Sequence, residues 1–237
     1  MVNSIEVIEC DSPFYIEELP LGNKVYIFDN YLSAELHHHT DSFLRNQTNW
    51  QKNNCVQTID NRKRGGLPSH ELWGASYFRA NNGQKVKCKS NFYYPYFMDY
   101  IDKKIRTDFS FDWIRFQYMG TNSQTMGQNG SCHADCSLDD DFNLSFLYYT
   151  NTFWNDNWGG DLRFYSQHVE TGTEDHMNEF EIGRVAFKPN RLLMFDGRIP
   201  HGAEAPSSNA NYIDRRSIVL RGDEVRLLDK QDRYAYN

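Results

Sequence analysis

Three observations predict a mainly β protein with supporting N-terminal helices. After residue 110 the chain breaks into short apolar runs separated by Gly, Asn and Asp, the texture of a sandwich, barrel or jelly roll. Before that point, two stretches carry apolar residues at helical spacing. Aromatic residues make up 15% of the 237 positions, enough ring area to offset the entropy of ordering the chain. One domain over 1–237 is expected, since all-β domains often run to about 200–250 residues. Within it, about 1–105 would be helix and strand support and about 106–228 the β core.

Taken in order, Val25–Asp29 (VYIFD) reads as a strand. Ser33 is then a good N-cap for a helix to about Asn46, with Leu36, Phe43 and Leu44 on one side. The stretch Asn61–Gln84 is rich in Arg, Gly, Asn and Ser and reads as strands joined by mobile loops. Pro95 suits a first helical turn, and Phe97, Ile101 and Ile105 follow at intervals of four, a second amphipathic helix. The later strands are Trp113–Met119, Leu144–Thr150, Asp161–Tyr165, Val185–Lys188, Arg191–Phe195 and Arg216–Arg221. Alternation is clear in WIRFQYM, which puts Ile114, Phe116 and Tyr118 on one face. Gly159-Gly160 would allow a tight turn into the strand at Asp161.

The chain carries 25 basic against 32 acidic residues, a net charge of -7. That argues against a nucleic-acid binder, whose affinity rests on neutralising phosphates. A mean hydropathy of -0.74 and no apolar run of about 18 residues argue against a membrane helix. The opening MVNSIEVIEC does not read as a signal peptide. Five cysteines leave one unpaired, as expected for reduced thiols in a cytoplasmic protein.

Metal-ligating residues come next. In a strand, positions i and i+2 share a face, so His133 and Asp135 of His133-Ala134-Asp135 can grip one ion. With the isolated His201 they make two imidazoles and a carboxylate, a set that leaves open positions on Fe(II). The motif recurs at His39-Thr40-Asp41 and His168-Val169-Glu170. In a helix the first pair would point about 200° apart, so His37–His39 reads as a solvated helix face. Cys132 and Cys136 flank the motif and raise a thiolate zinc alternative, but strand parity places both on the face opposite the ligands. Downstream, Arg215 and Ser217 share a strand face and Arg216 does not. A guanidinium beside a hydroxyl is a carboxylate receptor.

The order Tyr118, His133-x-Asp135, Leu147-Tyr148-Tyr149-Thr150-Asn151, Gly159-Gly160-Asp161, Asn190-Arg191-Leu192-Leu193-Met194-Phe195, Pro200-His201 and Arg215-x-Ser217 resembles the 2-oxoglutarate- and Fe(II)-dependent oxygenases, over roughly residues 112–222. Within them it resembles the prolyl 4-hydroxylase-like group. NRLLMFDGRIPHGAEAP with RRSIVL looks most like the oxygen-sensing prolyl hydroxylases and their bacterial relatives. The resemblance implies a double-stranded β-helix, a jelly roll with the metal at its open end. It implies His133, Asp135 and His201 as iron ligands, and Arg215, Ser217 and Tyr149 on the far carboxylate of 2-oxoglutarate. Tyr118 would line the cosubstrate pocket. Thr150 stands where the family strand often carries Leu, and the polar stretch Pro206–Asn211 implies a longer loop after His201.

The implied activity is a dioxygenase that converts an unactivated C–H bond to an alcohol, with succinate and CO2 as coproducts. Its cofactors would be Fe(II), 2-oxoglutarate and O2, with ascorbate as an optional reductant. The implied partner is a peptide or protein bearing a prolyl residue, met by the loops Asn61–Gln84 and Asn151–Trp158. Trp154 and Trp158 serve equally as rim residues for a proline ring or as loop anchors, and Arg198, three residues before His201, reads as a surface arginine, with a place at the mouth of the site as the alternative. The alternatives are a free amino acid or other small molecule as substrate, or a non-catalytic, metal-binding cupin-like module. An oxygenase of nucleic-acid bases is disfavoured by the net charge.

Overall fold

A computed structural model describes residues 4–11, 14–55, 71–81, 84–87, 93–130, 132–136, 143–166 and 180–229. Its first elements are strand β1 (Glu6–Glu9), strand β2 (Lys24–Phe28) and helix α1 (Ala34–Arg45). Strands β3 (Gln51–Cys55), β4 (Glu71–Asn81) and β5 (Gln84–Lys87) lead to helix α2 (Tyr93–Asp108). The remainder is β: β6 (Phe111–Gln124), β7 (Leu144–Tyr149), β8 (Leu162–Tyr165), β9 (Glu181–Val185), β10 (Leu192–Asp196), β11 (His201–Ala203) and β12 (Arg215–Leu227). Short 3-10 turns lie at Asp156–Trp158 and Ser208–Ala210.

Nine strands form the larger sheet, in the order β1-β2-β10-β7-β12-β6-β4-β3, with β5 on β4. The smaller sheet runs β11-β8-β9. Among the described strands only β1 with β2 is a parallel pair. The two sheets face each other as a double-stranded β-helix, the jelly roll expected. Alternation along each strand divides its side chains between two cores. Between the sheets, Val25, Ile27, Leu147, Leu193 and Phe195 meet Leu162, Phe164 and Val185. On the outer face, Phe146, Tyr148, Leu192, Met194, Ile218 and Leu220 pack with Leu44 of α1 and Phe97, Ile101 and Ile105 of α2. Among the described residues no helix is long and apolar enough to cross a membrane.

Local chemistry sets several boundaries. The Ser33 hydroxyl caps α1 by accepting from Leu36 N–H at 3.3 Å. Gly159 and Gly160 both hold positive φ, +66° and +87°, as a tight turn into β8 requires.

Three features differ from the sequence expectation. The strand expected at Val185–Lys188 ends at Val185. Beyond it the chain turns, because the Arg191 guanidinium binds Ala186 O at 3.1 Å and Asn190 takes a left-handed φ of 58°. Strand β6 runs on past Met119 through the polar GTNSQ, since β12 and β4 hydrogen-bond to its two sides. The third is His37, which is buried rather than solvated. Its ring nitrogens meet Tyr148 Oη at 2.5 Å and Asn151 O at 3.0 Å. His38 and His39 alone of that run are exposed.

Asp41 faces the sheet with His37 and binds the buried Arg216 guanidinium at 2.6 Å, tying α1 to β12. Burial works against its charge, but hydrogen bonds from Arg216, Thr152 and Arg45 lower the Asp41 pKa. Asp41→Asn should cost about 3 kcal/mol in urea unfolding at neutral pH, since it removes the buried one of the two carboxylates that balance Arg216 and leaves only the part-exposed Asp214. A depressed folded pKa contributes stability above the unfolded value, about 3.9, and loses it as pH falls through the folded value. The gap between wild type and variant should therefore narrow below about pH 4. A gap that stays constant into acid would show that the charge of Asp41 is not what stabilises the fold.

Candidate active site

Strand β12 is the spine of the site. Arg215, Ser217, Val219 and Arg221 alternate onto the face that looks between the sheets, and all four line one cleft. On one side the register sets Arg215 against Gln124, Ser217 against Asn122, Val219 against Gly120 and Arg221 against Tyr118. On the other side it sets Ser217 against Tyr149, Val219 against Leu147 and Arg221 against Ser145. Antiparallel partners share a face, so Asn122 and Gln124, in the second half of β6, lie on the face of Ser217 and Arg215. Their polarity is what silenced the hydrophobic signal there. Gly120 has a steric role: a Cβ at that position would collide with the Tyr118 hydroxyl.

The smaller sheet supplies the opposite wall, with His201 on β11, and the chain bridged to His201 brings His133 and Asp135 beside it as candidate metal ligands. His133 and His201 form an antiparallel bridge, His133 N–H to His201 O at 3.0 Å and the reverse at 2.9 Å. Asp135 N–H donates to Gly197 O at 2.7 Å. The His133–Asp135 segment is thus not a regular strand but a bend hung on the chain around His201. One ligand atom from each of His133, Asp135 and His201 lies within 4.8 Å of the others. Both imidazole Nε2 atoms face the Asp135 carboxylate, at 3.6 and 3.7 Å. His201 Nδ1 meets Ile199 O at 2.8 Å, which leaves Nε2 with its lone pair free for a metal.

Electrostatics prepares the ligands. Burial pushes the His201 imidazole down to about 4, so it is neutral at physiological pH, the form that binds metal. Burial opposes charge on Asp135, yet Arg221, His201 and His133 together hold its carboxyl well below the usual range. Ser145 Oγ donates to Asp135 Oδ2 at 2.5 Å. Among the described residues these three are the only His, Cys, Asp or Glu side chains that converge in this way. Cys132 and Cys136 form no disulfide and lie outside the group, and burial pushes the Cys136 thiol up to about 11. His168-Val169-Glu170 lies outside the described residues.

At the other end of the cleft Arg215 is 1% exposed. Its Nε–H donates to Gly160 O at 2.7 Å and Nη1 to Gln124 Oε1 at 3.0 Å. The rings of Tyr149 and Phe187 lie 4.9 and 5.0 Å from its guanidinium carbon. Its Nη2, Ser217 Oγ and Tyr149 Oη are all buried with no hydrogen-bond partner among the described residues. Burial raises the Tyr149 pKa and Arg215 beside it opposes the shift, so the phenol stays protonated. Arg216 points away, to Asp41 and Asp214. The parity of β12 therefore brings Arg215 and Ser217 to the cleft and not Arg216.

Sequence reasoning missed Arg221, Gln124 and Phe187. Arg221 lies on the Arg215 face and was reachable by carrying the same alternation further. Its contact with Asp135 was not, being long-range. Trp154 is a buried anchor, its Nε1–H on Gly159 O at 2.9 Å and its ring 4.6 Å from Phe187. Trp158 packs on it at 5.2 Å. Arg198 is held by Asp196 at 2.7 Å.

Residues 117–220 match the family model of the 2OG-Fe(II) oxygenase superfamily. No curated protein matches the sequence. A 2OG-Fe(II) oxygenase family oxidoreductase from Burkholderia pseudomallei has a similar fold, with a TM-score of 0.56 and 10% identity over 84% of each chain. A prolyl hydroxylase from Trichoplax adhaerens, solved with a hypoxia inducible factor peptide fragment, gives 0.52 at 18% identity, covering 90% of this chain and 87% of that one. A Pseudomonas putida prolyl-4-hydroxylase gives 0.50 at 17% identity, covering 86% and 93%. At such identities the likeness is one of fold.

Proposed function

We propose that this 2OG-Fe(II) oxygenase superfamily chain hydroxylates a prolyl residue in a peptide or protein, releasing succinate and CO2. One observation carries the reading. A His-Asp-His set and, with Arg215 and Ser217, a buried carboxylate receptor line the two ends of a single cleft, and Tyr149 packs against Arg215 to supply the third unpartnered donor. A metal-binding module without activity has no use for the second end.

The residues fit the cofactors. His133, Asp135 and His201 would hold Fe(II). Arg215 Nη2, Ser217 Oγ and Tyr149 Oη are the unpartnered donors that the far carboxylate of 2-oxoglutarate would satisfy. When bound, the pair supplies oxidative decarboxylation of the 2-oxo acid and activation of O2 toward a C–H bond. The chain's part is geometry and shielding. Ile199 O orients the His201 ring, Ser145 orients the Asp135 carboxylate, and Tyr118 walls the space between the metal end and Arg215. No side-chain nucleophile or general base is required.

The prolyl substrate is supported by the segment Asn190–Pro206 with Arg215–Leu220, and by two fold relatives described as prolyl hydroxylases. The test is aerobic turnover with Fe(II), 2-oxoglutarate and ascorbate, comparing proline-containing peptides with free proline. Peptides should raise succinate release and yield hydroxyproline. Stimulation by free proline alone would move the assignment to an amino-acid hydroxylase, and stimulation by neither would end the prolyl reading.

A further inference from the structure

On the cleft face of β12, Arg215 and Arg221 stand about 20 Å apart along an extended strand, in opposite surroundings. Arg215 is sealed among Tyr149, Phe187 and Gly160. The Arg221 side chain is 31% exposed and that of His133 is 35%, while Asp135 between them is 2%. The cleft therefore opens to solvent on the Arg221 and His133 side of the ligand set, and a molecule arriving from solution passes between them. Arg221 pairs with Asp135 and stacks over Tyr118, 5.1 Å from the ring centroid. Its Nε–H is buried and makes no hydrogen bond among the described residues.

A divalent metal on Asp135 would draw on the same carboxylate that Arg221 now uses. Two cations sharing one anion repel, so the guanidinium then has bonding capacity to spare at the mouth. In a molecule of net charge -7 such a cation is the local feature that selects an acidic ligand against the long-range field. The Tyr118 ring fixes the plane of the fork, which suits a bidentate carboxylate rather than a loose counter-ion.

We propose that Arg221 receives a carboxylate of the primary substrate, placed beside the C–H bond that reacts. The substrate class is then a prolyl residue with its own free α-carboxylate, or one flanked by an Asp or Glu side chain. The inference rests on the oxygenase reading of the same cleft.

Matched probes test it: an internal proline flanked by Glu or by Gln, a C-terminal proline as free acid or amide, and free amino acids against their amides. Binding is read anaerobically from the perturbation of the visible charge-transfer band of the Fe(II)- and 2-oxoglutarate-loaded protein, and turnover from hydroxyproline. Wild type should prefer the carboxylate member of at least one pair by about tenfold or more, and the pair that shows it identifies the source. Arg221→Met should erase the preference and Arg221→Lys retain part of it, read as the ratio within each matched pair on the same loaded variant. No preference in the wild type, or one that survives Arg221→Met, overturns the proposal. The band needs no turnover: absent hydroxyproline with a retained carboxylate preference would sink the prolyl reading and leave this one standing.

Discussion

His201→Ala should abolish the Fe(II)- and 2-oxoglutarate-dependent visible band and all coupled succinate release, yet leave the protein folded. The imidazole is the one ligand that arrives from a separate strand, and without it the remaining pair cannot hold a facial set. Even outer-shell partners of a metal site are worth about 10–100-fold in affinity, so loss of a ligand should exceed that. The fold survives because the bridge to His133 is made by backbone atoms, at 2.9 and 3.0 Å. The side chain adds an edge contact to Phe195 and a tilted one to Phe164. Anaerobic titration followed in the visible, with a thermal melt by circular dichroism, reads both halves. A variant that keeps the band would remove His201 from the metal site.

Arg215→Met and Arg216→Met should fail in opposite ways. Arg215 pairs with no carboxylate among the described residues, and its Nη2 is buried without a hydrogen-bond partner there. Breaking a buried charge pair costs about 3–5 kcal/mol, so 2-oxoglutarate should bind about a hundredfold more weakly or worse. Stability should change little or even rise, since a desolvated cation is removed. Arg216 is equally buried but committed to Asp41 and Asp214. Its loss should lower the unfolding midpoint in urea and leave the cosubstrate dissociation constant within a few-fold. If Arg216→Met destroys affinity while Arg215→Met does not, the alternation argument for β12 is wrong.

That argument shows what could be read locally. Alternation is a property of the extended backbone, so Arg215, Ser217 and the opposite direction of Arg216 follow from order alone. Helix spacing likewise placed Phe97, Ile101 and Ile105 in the core, where they are 2%, 0% and 0% exposed. The same local rule misled at Val185–Lys188, where an apolar run packs Phe187 from a turn. It misled again at His37, where a polar residue is buried because Tyr148 and Asn151 satisfy both ring nitrogens. Polar side chains facing a functional cleft and apolar ones packing from loops both break the pattern that marks a strand.

Legible in the residues alone were the mainly β class, the two helices, the residue types of the candidate ligand set and which arginine shares a face with Ser217. Each of these depends on spacing along one segment. Tertiary structure decided that His133 and Asp135 meet His201 through backbone bridges and a bend rather than by strand parity. It decided that Tyr149 and Phe187 enclose Arg215, and that Arg221 stands at the solvent side of the ligands against Asp135. Those contacts join segments far apart in the chain, and strand order and register, which no single segment encodes, set them at contact distance.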